Sequence, residues 1–313
     1  MKKKIKFLSK VLLTVGILYY LMRQISFELL LNRFSEMNWP ILAGAFVLLI
    51  LQVALSALKW RIILVAEGIH IPYPFLIKSY FMGNLLGLFL PTNFGGDVYR
   101  VYSLKRYNLD PFQNVSSVLF DRLSGLFALL STSFLSCAVF YGVRTDWRFL
   151  LFYVAGIAGF CFFSSDAVLG FLGGLRFEFL HFGIKILSAL NRYRENGRLL
   201  SQALLISFLF QGNIVLIIKL YCMAIDVYAD LGYLFMIIPM IFLAEAVPVS
   251  INGFGVREGA FVFFFVQAGY PKEGALAVSL LVVTMRYFFS LVMGGPLFLK
   301  HLFSSSEDRL RVP

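Results

Sequence analysis

Apolar residues run through this chain in long stretches that polar positions interrupt at irregular intervals. Runs near 7–22, 40–58, 115–141, 149–165, 201–222 and 275–299 approach or exceed the roughly 20 residues that a helix needs to cross a hydrocarbon core. They predict six full spans. Two further apolar stretches are broken from within. Phe75 to Pro91 contains Lys78, Gly83, Asn84 and Gly87, and Gly232 to Gly269 contains Pro239, Glu245, Pro248, Gly253 and Gly255. Elsewhere, Phe27, Leu30, Leu31 and Phe34, and again Phe179, Phe182, Ile186, Leu187 and Leu190, recur at helical spacing among polar residues. That pattern fits either interfacial amphipathic helices or connectors packed on a bundle.

The broken stretches constrain the topology. If Phe75 to Pro91 crossed fully, the basic residues Arg100, Lys105 and Arg106 would lie outside. A re-entrant hairpin that enters and leaves on the cytoplasmic side removes the conflict. Irregular backbone at membrane depth is tolerated where it is buried in protein or lines a wet cavity. Gly232 to Gly269 reads in the same way. Three predicted spans separate the two hairpins, so they enter from opposite faces and the repeat is inverted, with halves of approximately 40–141 and 201–299. The expected fold is an all-α polytopic membrane protein, one membrane domain over residues 1–313, with six spans and two re-entrant helical hairpins.

Composition agrees. Of 313 residues 59% are hydrophobic and 14% charged, where a soluble domain carries roughly 25% charge. The net charge of +11 does not indicate nucleic acid, because the basic residues flank spans and do not alternate with stacking aromatics on a polar face. With the amino terminus in the cytoplasm, Lys2, Lys3, Lys4, Lys6, Lys10, Lys59, Arg61 and most other Lys and Arg fall inside. Arg23, Arg33, Arg144, Arg148, Arg257 and Lys272 fall outside. The positive-inside rule therefore favours two cytoplasmic termini, in a plasma (inner) membrane of bacterial or archaeal type. No small-residue cleavage site follows the first apolar run, so it is kept as a helix and not a signal peptide. Cys137, Cys161 and Cys222, like His70, His181 and His301, are scattered, which suggests buried thiols and gives no metal site. No phosphate loop is present and Gly253 to Gly259 has the wrong spacing for a dinucleotide fingerprint, so no cofactor is expected.

Candidate chemistry lies in the breaks. Pro91 to Arg100 and Pro248 to Arg257 each place an arginine nine residues after a proline, with glycine between. Interrupted segments at corresponding positions of two halves point to a transporter's binding region. A helix that resumes after such a break offers free N–H groups and partial positive charge suited to phosphate, and arginine adds a planar two-bond fork. The candidate substrate-binding residues are Arg100, Arg122, Arg257 and Arg286, with Asn93, Gly95, Gly96, Asn252, Gly253 and Gly255 in the breaks. Asp97, Asp121, Glu245 and Glu258 are the candidate counter-charges or coupling groups. The bland alternative is that Asp97 and Glu258 cap helix starts and that Asp121 and Arg122 pair with other helices. Arg286 and Glu245 stand apart, because intramembrane charge is costly and functional by default. Gly83 and Gly87 suit a close helix contact, chiefly inside the first hairpin.

The run Phe89-Leu-Pro-Thr-Asn-Phe-Gly-Gly-Asp-Val-Tyr-Arg100, then Asp121-Arg122, then Pro248 through Asn252-Gly-Phe-Gly-Val-Arg-Glu258, then Arg286 in the last helix, resembles the flippase-like transmembrane family. That family is also named after the membrane part of lysylphosphatidylglycerol synthases. The resemblance implies an inverted-repeat fold of about eight membrane segments counting hairpins, movement of a lipid between leaflets, and a role for Arg286 like that of the last-helix arginine in relatives. The chain stops at Pro313 with no soluble aminoacyl-transferring domain, so lipid aminoacylation is not expected. The expectation is a transporter and not an enzyme: a lipid flippase whose partners are membrane lipids, running downhill or coupled to protons through Glu245. The competing classes are a membrane-embedded transferase acting on lipid or polyprenyl phosphate, a small-solute transporter on the same repeat, and a structural scaffold. Against the transferase, Asp97 and Asp121 stand singly, where Mg2+ chemistry uses clustered aspartates.

Overall fold

The computed structural model describes residues 27–89, 95–107, 110–140, 196–246 and 252–303, with Gly16, Tyr19, Arg23, Tyr193 and Ser250. In these residues the chain is helical, with short turns and no strand. The order is α1 (Phe27–Ser35), α2 (Trp39–Ala66), α3 (Tyr73–Phe89), α4 (Gly95–Ser103), a 3-10 turn (Leu104–Tyr107), α5 (Pro111–Phe140), α6 (Gly197–Ala224), α7 (Leu231–Ala246), α8 (Val256–Gln267) and α9 (Lys272–Phe303). Four helices, α2, α5, α6 and α9, are long and apolar enough to cross a membrane. The predicted spans 7–22 and 149–165, and the amphipathic stretch 179–190, lie outside the described residues.

Local chemistry sets the ends of the helices. Asn38 accepts from the Ile41 N–H at 3.3 Å and Asn196 from the Leu199 N–H at 3.1 Å, each satisfying one of the donors that a first helical turn leaves free. One boundary differs from the sequence expectation. The span expected at 40–58 continues unbroken to Ala66, so Lys59 and Arg61 are helical residues and not flanking loop residues. The helix continues because Lys59 finds an anionic partner inside the protein, described below, and Ile62, Ile63 and Leu64 resume the apolar run. α1 is a connector packed on the bundle: Leu30 joins the core, Leu29 and Leu31 stay exposed, and Arg33 donates to the Ile225 carbonyl at the end of α6, at 3.0 Å.

The core has two main parts. One gathers residues of α6, α7, α8 and α9, among them Tyr221, Ile238, Phe261, Phe265 and Val278. The other gathers Ala57, Trp60, Leu64, Leu76, Leu104 and Val118 from α2, α3, the 3-10 turn and α5. α2 lies along α6, where Asn213 donates to the Leu48 carbonyl at 3.0 Å. The short helices α3 and α4 meet backbone to backbone: a Cβ on Gly83 would stand 2.9 Å from the Gly96 carbonyl oxygen, and one on Gly87 3.4 Å from Gly96 N. The Gly83 and Gly87 pair therefore serves contact between α3 and α4. Gly294 brings α9 onto α3 at Phe81 and Leu85 in the same way.

The α5–α7 contact fixes a register that matters for the site. Ser133 donates to the Met236 carbonyl at 2.7 Å and Ser136 to the Gly232 carbonyl at 2.8 Å, so the two helices run antiparallel. Glu245 stands nine residues beyond Met236 and 13 beyond Gly232, which carries it to the level of positions 124 and 123 on α5. At about 1.5 Å per residue, that is within about 5 Å along the axis of Asp121 and Arg122.

Candidate functional site

Two chains of alternating charge occupy this level. In the first, α4 supplies Asp97 from its opening turn and Arg100 from its last, α5 supplies Asp121 and Arg122, and α2 supplies Lys59. Arg122 Nε meets Asp97 Oδ2 at 2.8 Å, Arg100 Nη1 meets Asp97 Oδ1 at 3.2 Å and Asp121 Oδ2 at 2.9 Å, and Lys59 Nζ meets Asp121 Oδ1 at 2.9 Å. Lys59 donates further to the Asp121 carbonyl at 2.8 Å and to Ser207 Oγ on α6 at 3.1 Å. Tyr80 on α3 donates to Asp121 Oδ2 at 3.1 Å. The Arg100 guanidinium packs into the corner of two perpendicular rings, 4.3 Å from the Trp60 centroid and 4.2 Å from that of Tyr80, an attraction that strengthens when the cation is desolvated.

The second chain starts on α9 and crosses to the break between α7 and α8. Arg286 Nη1 meets Glu245 Oε1 at 2.9 Å, and Arg257 Nη1 meets the same oxygen at 3.2 Å. Arg257 Nη2 then meets Glu258 Oε1 at 2.7 Å, and the other Glu258 oxygen accepts the Gly255 N–H at 2.5 Å. The turn that makes this possible is left-handed: Asn252, Gly253 and Gly255 have φ of 49°, 75° and 85°. Gly253 answers a second demand, since a Cβ there would stand 2.3 Å from Glu245 Cγ. Only glycine meets both the positive φ and the approach of the carboxylate.

Burial divides the arginines into two kinds. Arg100 and Arg257 are enclosed, with 3% and 2% of their side chains exposed, whereas Arg122 and Arg286 are 56% and 42% exposed. In each chain one exposed arginine is therefore tied through a buried carboxylate, Asp97 or Glu245, to a buried arginine. A buried ion pair is tolerated only with good geometry and further hydrogen bonds; the Tyr80 bond to Asp121 and the Gly255 bond to Glu258 are of this kind, while Arg100 Nε and Nη2 find no partner among the described residues. The register of α5 against α7 puts Asp121 and Arg122 at about the axial level of Glu245, near the middle of the long helices. Arg286 lies about 21 Å from the start of α9 and about 26 Å from its end at helical rise.

The structure brings the four arginines and four carboxylates singled out from sequence into these two chains. Asn93 lies outside the described residues. Gly95 is buried at the start of α4, and Gly96 is the α3–α4 contact point. Sequence reading missed Lys59, Trp60 and Tyr80. The signal for Lys59 was present: apolar residues continue on both sides of it, so it could not be a loop flank. Trp60 and Tyr80 gave no such signal in so aromatic a chain. Cys137 and Cys222 are buried free thiols, and among the described residues no cluster of His, Cys, Asp and Glu could hold a metal.

The UPF0104 membrane protein MJ1078 of Methanocaldococcus jannaschii is 25% identical over 220 residues, covering 65% of this chain and 88% of that protein. The sequence profile described as the lysylphosphatidylglycerol synthase TM region matches residues 7–294, which includes every member of both charge chains. This multi-pass helical membrane protein belongs to the lysylphosphatidylglycerol synthase transmembrane-region family.

Proposed function

We propose that the protein is a lipid flippase or transporter that moves an anionic, phosphate-bearing phospholipid or polyprenyl-phosphate lipid between leaflets. The observation that carries this reading is the exposure of Arg122 and Arg286 at one depth near mid-span, each held by a carboxylate that a buried arginine retains. An arginine at the centre of a bilayer costs about 2.5–3.5 kcal/mol on insertion scales, and such residues face a bundle interior or a wet cavity. A phosphate reaching these arginines takes the fork of each through two hydrogen bonds. Asp97 and Glu245 then fall back on Arg100 and Arg257, so no carboxylate is stranded.

In this reading α3–α4 and α7–α8 are the two re-entrant hairpins of an inverted repeat, within a fold of six full spans with both termini in the cytoplasm of an inner membrane. The headgroup passes between the hairpins while the tails stay in lipid, and alternating access comes from rocking one repeat against the other. The lipid leaves chemically unchanged, so the protein acts as a transporter and not as an enzyme.

The test is reconstitution into liposomes carrying headgroup-labelled anionic lipids, with an impermeant quencher outside. The wild type exposes inner-leaflet label at a rate that Arg286→Ala and Arg122→Ala both slow. Equal rates in protein-free liposomes, or labelled lipid recovered as a new chemical species, would overturn the proposal.

A further inference from the structure

Charge at the shared level does not cancel. Lys59, Arg100 and Arg122 stand against Asp97 and Asp121 in the first chain, and Arg257 and Arg286 against Glu245 and Glu258 in the second. Among the described residues this is five cations against four carboxylates. Residues 90–94 and 247–251, which join the halves of each broken segment, contain no ionisable side chain, so they leave the balance unchanged. Among the described residues the surplus belongs to the first chain and traces to Lys59, which has no counterpart among them in the second.

Two features show where the surplus is available. Arg100 gives Nη1 to both aspartates, while its Nε and Nη2 are buried with no hydrogen-bond partner among the described residues. Arg122 uses Nε for Asp97 and keeps more than half of its side chain exposed. A buried donor left unmade is costly, and so is an uncompensated charge at mid-span. One negative charge arriving at the exposed Arg122 relieves the second, while Arg100, enclosed behind it, feels that charge without bonding it.

Given the transport reading above, we infer that the accepted headgroup carries one net negative charge, as a phosphodiester does, and that Lys59 sets this preference from behind the site without touching the lipid. A phosphomonoester loses its second proton near pH 6. Above that pH it brings two charges, one more than the site can neutralise.

The experiment measures binding to the purified protein and movement in liposomes for three labelled lipids: phosphatidylglycerol (one negative charge), phosphatidylcholine (net zero) and phosphatidic acid (a phosphomonoester). The wild type is expected to favour phosphatidylglycerol over phosphatidylcholine at least tenfold at both pH 5 and pH 8. Phosphatidic acid should match phosphatidylglycerol at pH 5 and fall at least fivefold behind it at pH 8. Lys59→Met should collapse the preference for phosphatidylglycerol over phosphatidylcholine, and Lys59→Arg should restore it. If Lys59→Met does not fold, Asp97→Asn raises the surplus to two charges and should improve phosphatidic acid at pH 8 relative to phosphatidylglycerol. Wild-type binding of phosphatidic acid at pH 8 as tight as that of phosphatidylglycerol, or equal losses for charged and zwitterionic lipid in Lys59→Met, overturns the inference. Charge-ordered binding without movement overturns transport but not the charge match. Movement without charge order overturns the charge match alone. Neither binding nor movement of any lipid overturns both.

Discussion

The charge chain built on α2, α4 and α5 and the one built on α7, α8 and α9 reach the same end by different means. Each finishes in one exposed arginine, Arg122 or Arg286, backed by a buried carboxylate and a buried arginine. In the first, Arg100 is held by aromatic faces from Trp60 and Tyr80, and Asp121 is shared with a lysine from a third helix. In the second, the enclosed Arg257 meets two glutamates and lies 5.3 Å from the centroid of a single ring, that of Phe254 in its own turn, and the geometry depends on a left-handed glycine turn that lets Glu245 approach. Among the described residues the first is a junction of helices with one more cation than carboxylates. The second pairs two arginines with two glutamates and is shaped by backbone. Two junctions can therefore share a charge order without sharing residues.

The largest expected difference between them lies in the carboxylates. Asp121→Ala leaves Lys59 in contact with no carboxylate and Arg100 with only Asp97, at a cost of about 3–5 kcal/mol. Glu258→Ala leaves Arg257 its bond to Glu245 and should cost clearly less, as thermal unfolding in detergent would show. Equal losses would mean that the two junctions are built alike after all. Next in size, Gly253→Ala combines a positive φ with a clash against Glu245 and should cost about 2–4 kcal/mol. Gly96→Ala, a helical position that meets only the Gly83 carbonyl region, should cost about 1–3 kcal/mol. A reversed order would show that the α3–α4 contact, and not the glycine turn, is the more demanding.

Smaller effects separate function from folding. Arg122→Ala and Arg286→Ala should each slow lipid movement about tenfold, equivalent to about 1.4 kcal/mol, with melting temperatures close to wild type because both side chains are substantially exposed. Arg286→Lys should recover only part of that rate, since lysine has no two-bond fork. Smallest is Tyr80→Phe, which removes one hydrogen bond to Asp121 and keeps the ring over Arg100, for about 0.5–1.5 kcal/mol. A larger loss would show that the hydroxyl, and not the ring, holds the aromatic side of the first junction.

Much of this architecture was legible in the order of residues. Apolar run length located α2, α5, α6 and α9, because a bilayer demands about 20 such residues whatever surrounds them. Glycine and proline marked the breaks after α3 and α7, because both act on the backbone locally, although Pro239, read as part of the second interruption, lies inside α7. Charge inside apolar sequence marked the arginines and carboxylates, because the cost of burying charge applies wherever the chain folds. The extent of α2 was misread at Lys59, whose place inside a helix depends on Asp121, 62 residues away.

What only the tertiary structure decided is which arginine is enclosed and which is exposed. Arg100 and Arg122 look alike in sequence, each near one aspartate, and their burial depends on Trp60 and Tyr80 arriving from other helices. The common depth of the two charge chains was equally out of reach, because it follows from where Ser133 and Ser136 grip α7. Local composition sets which residues must be neutralised or kinked. Packing between distant helices sets which partner neutralises them, and so which arginine stays exposed.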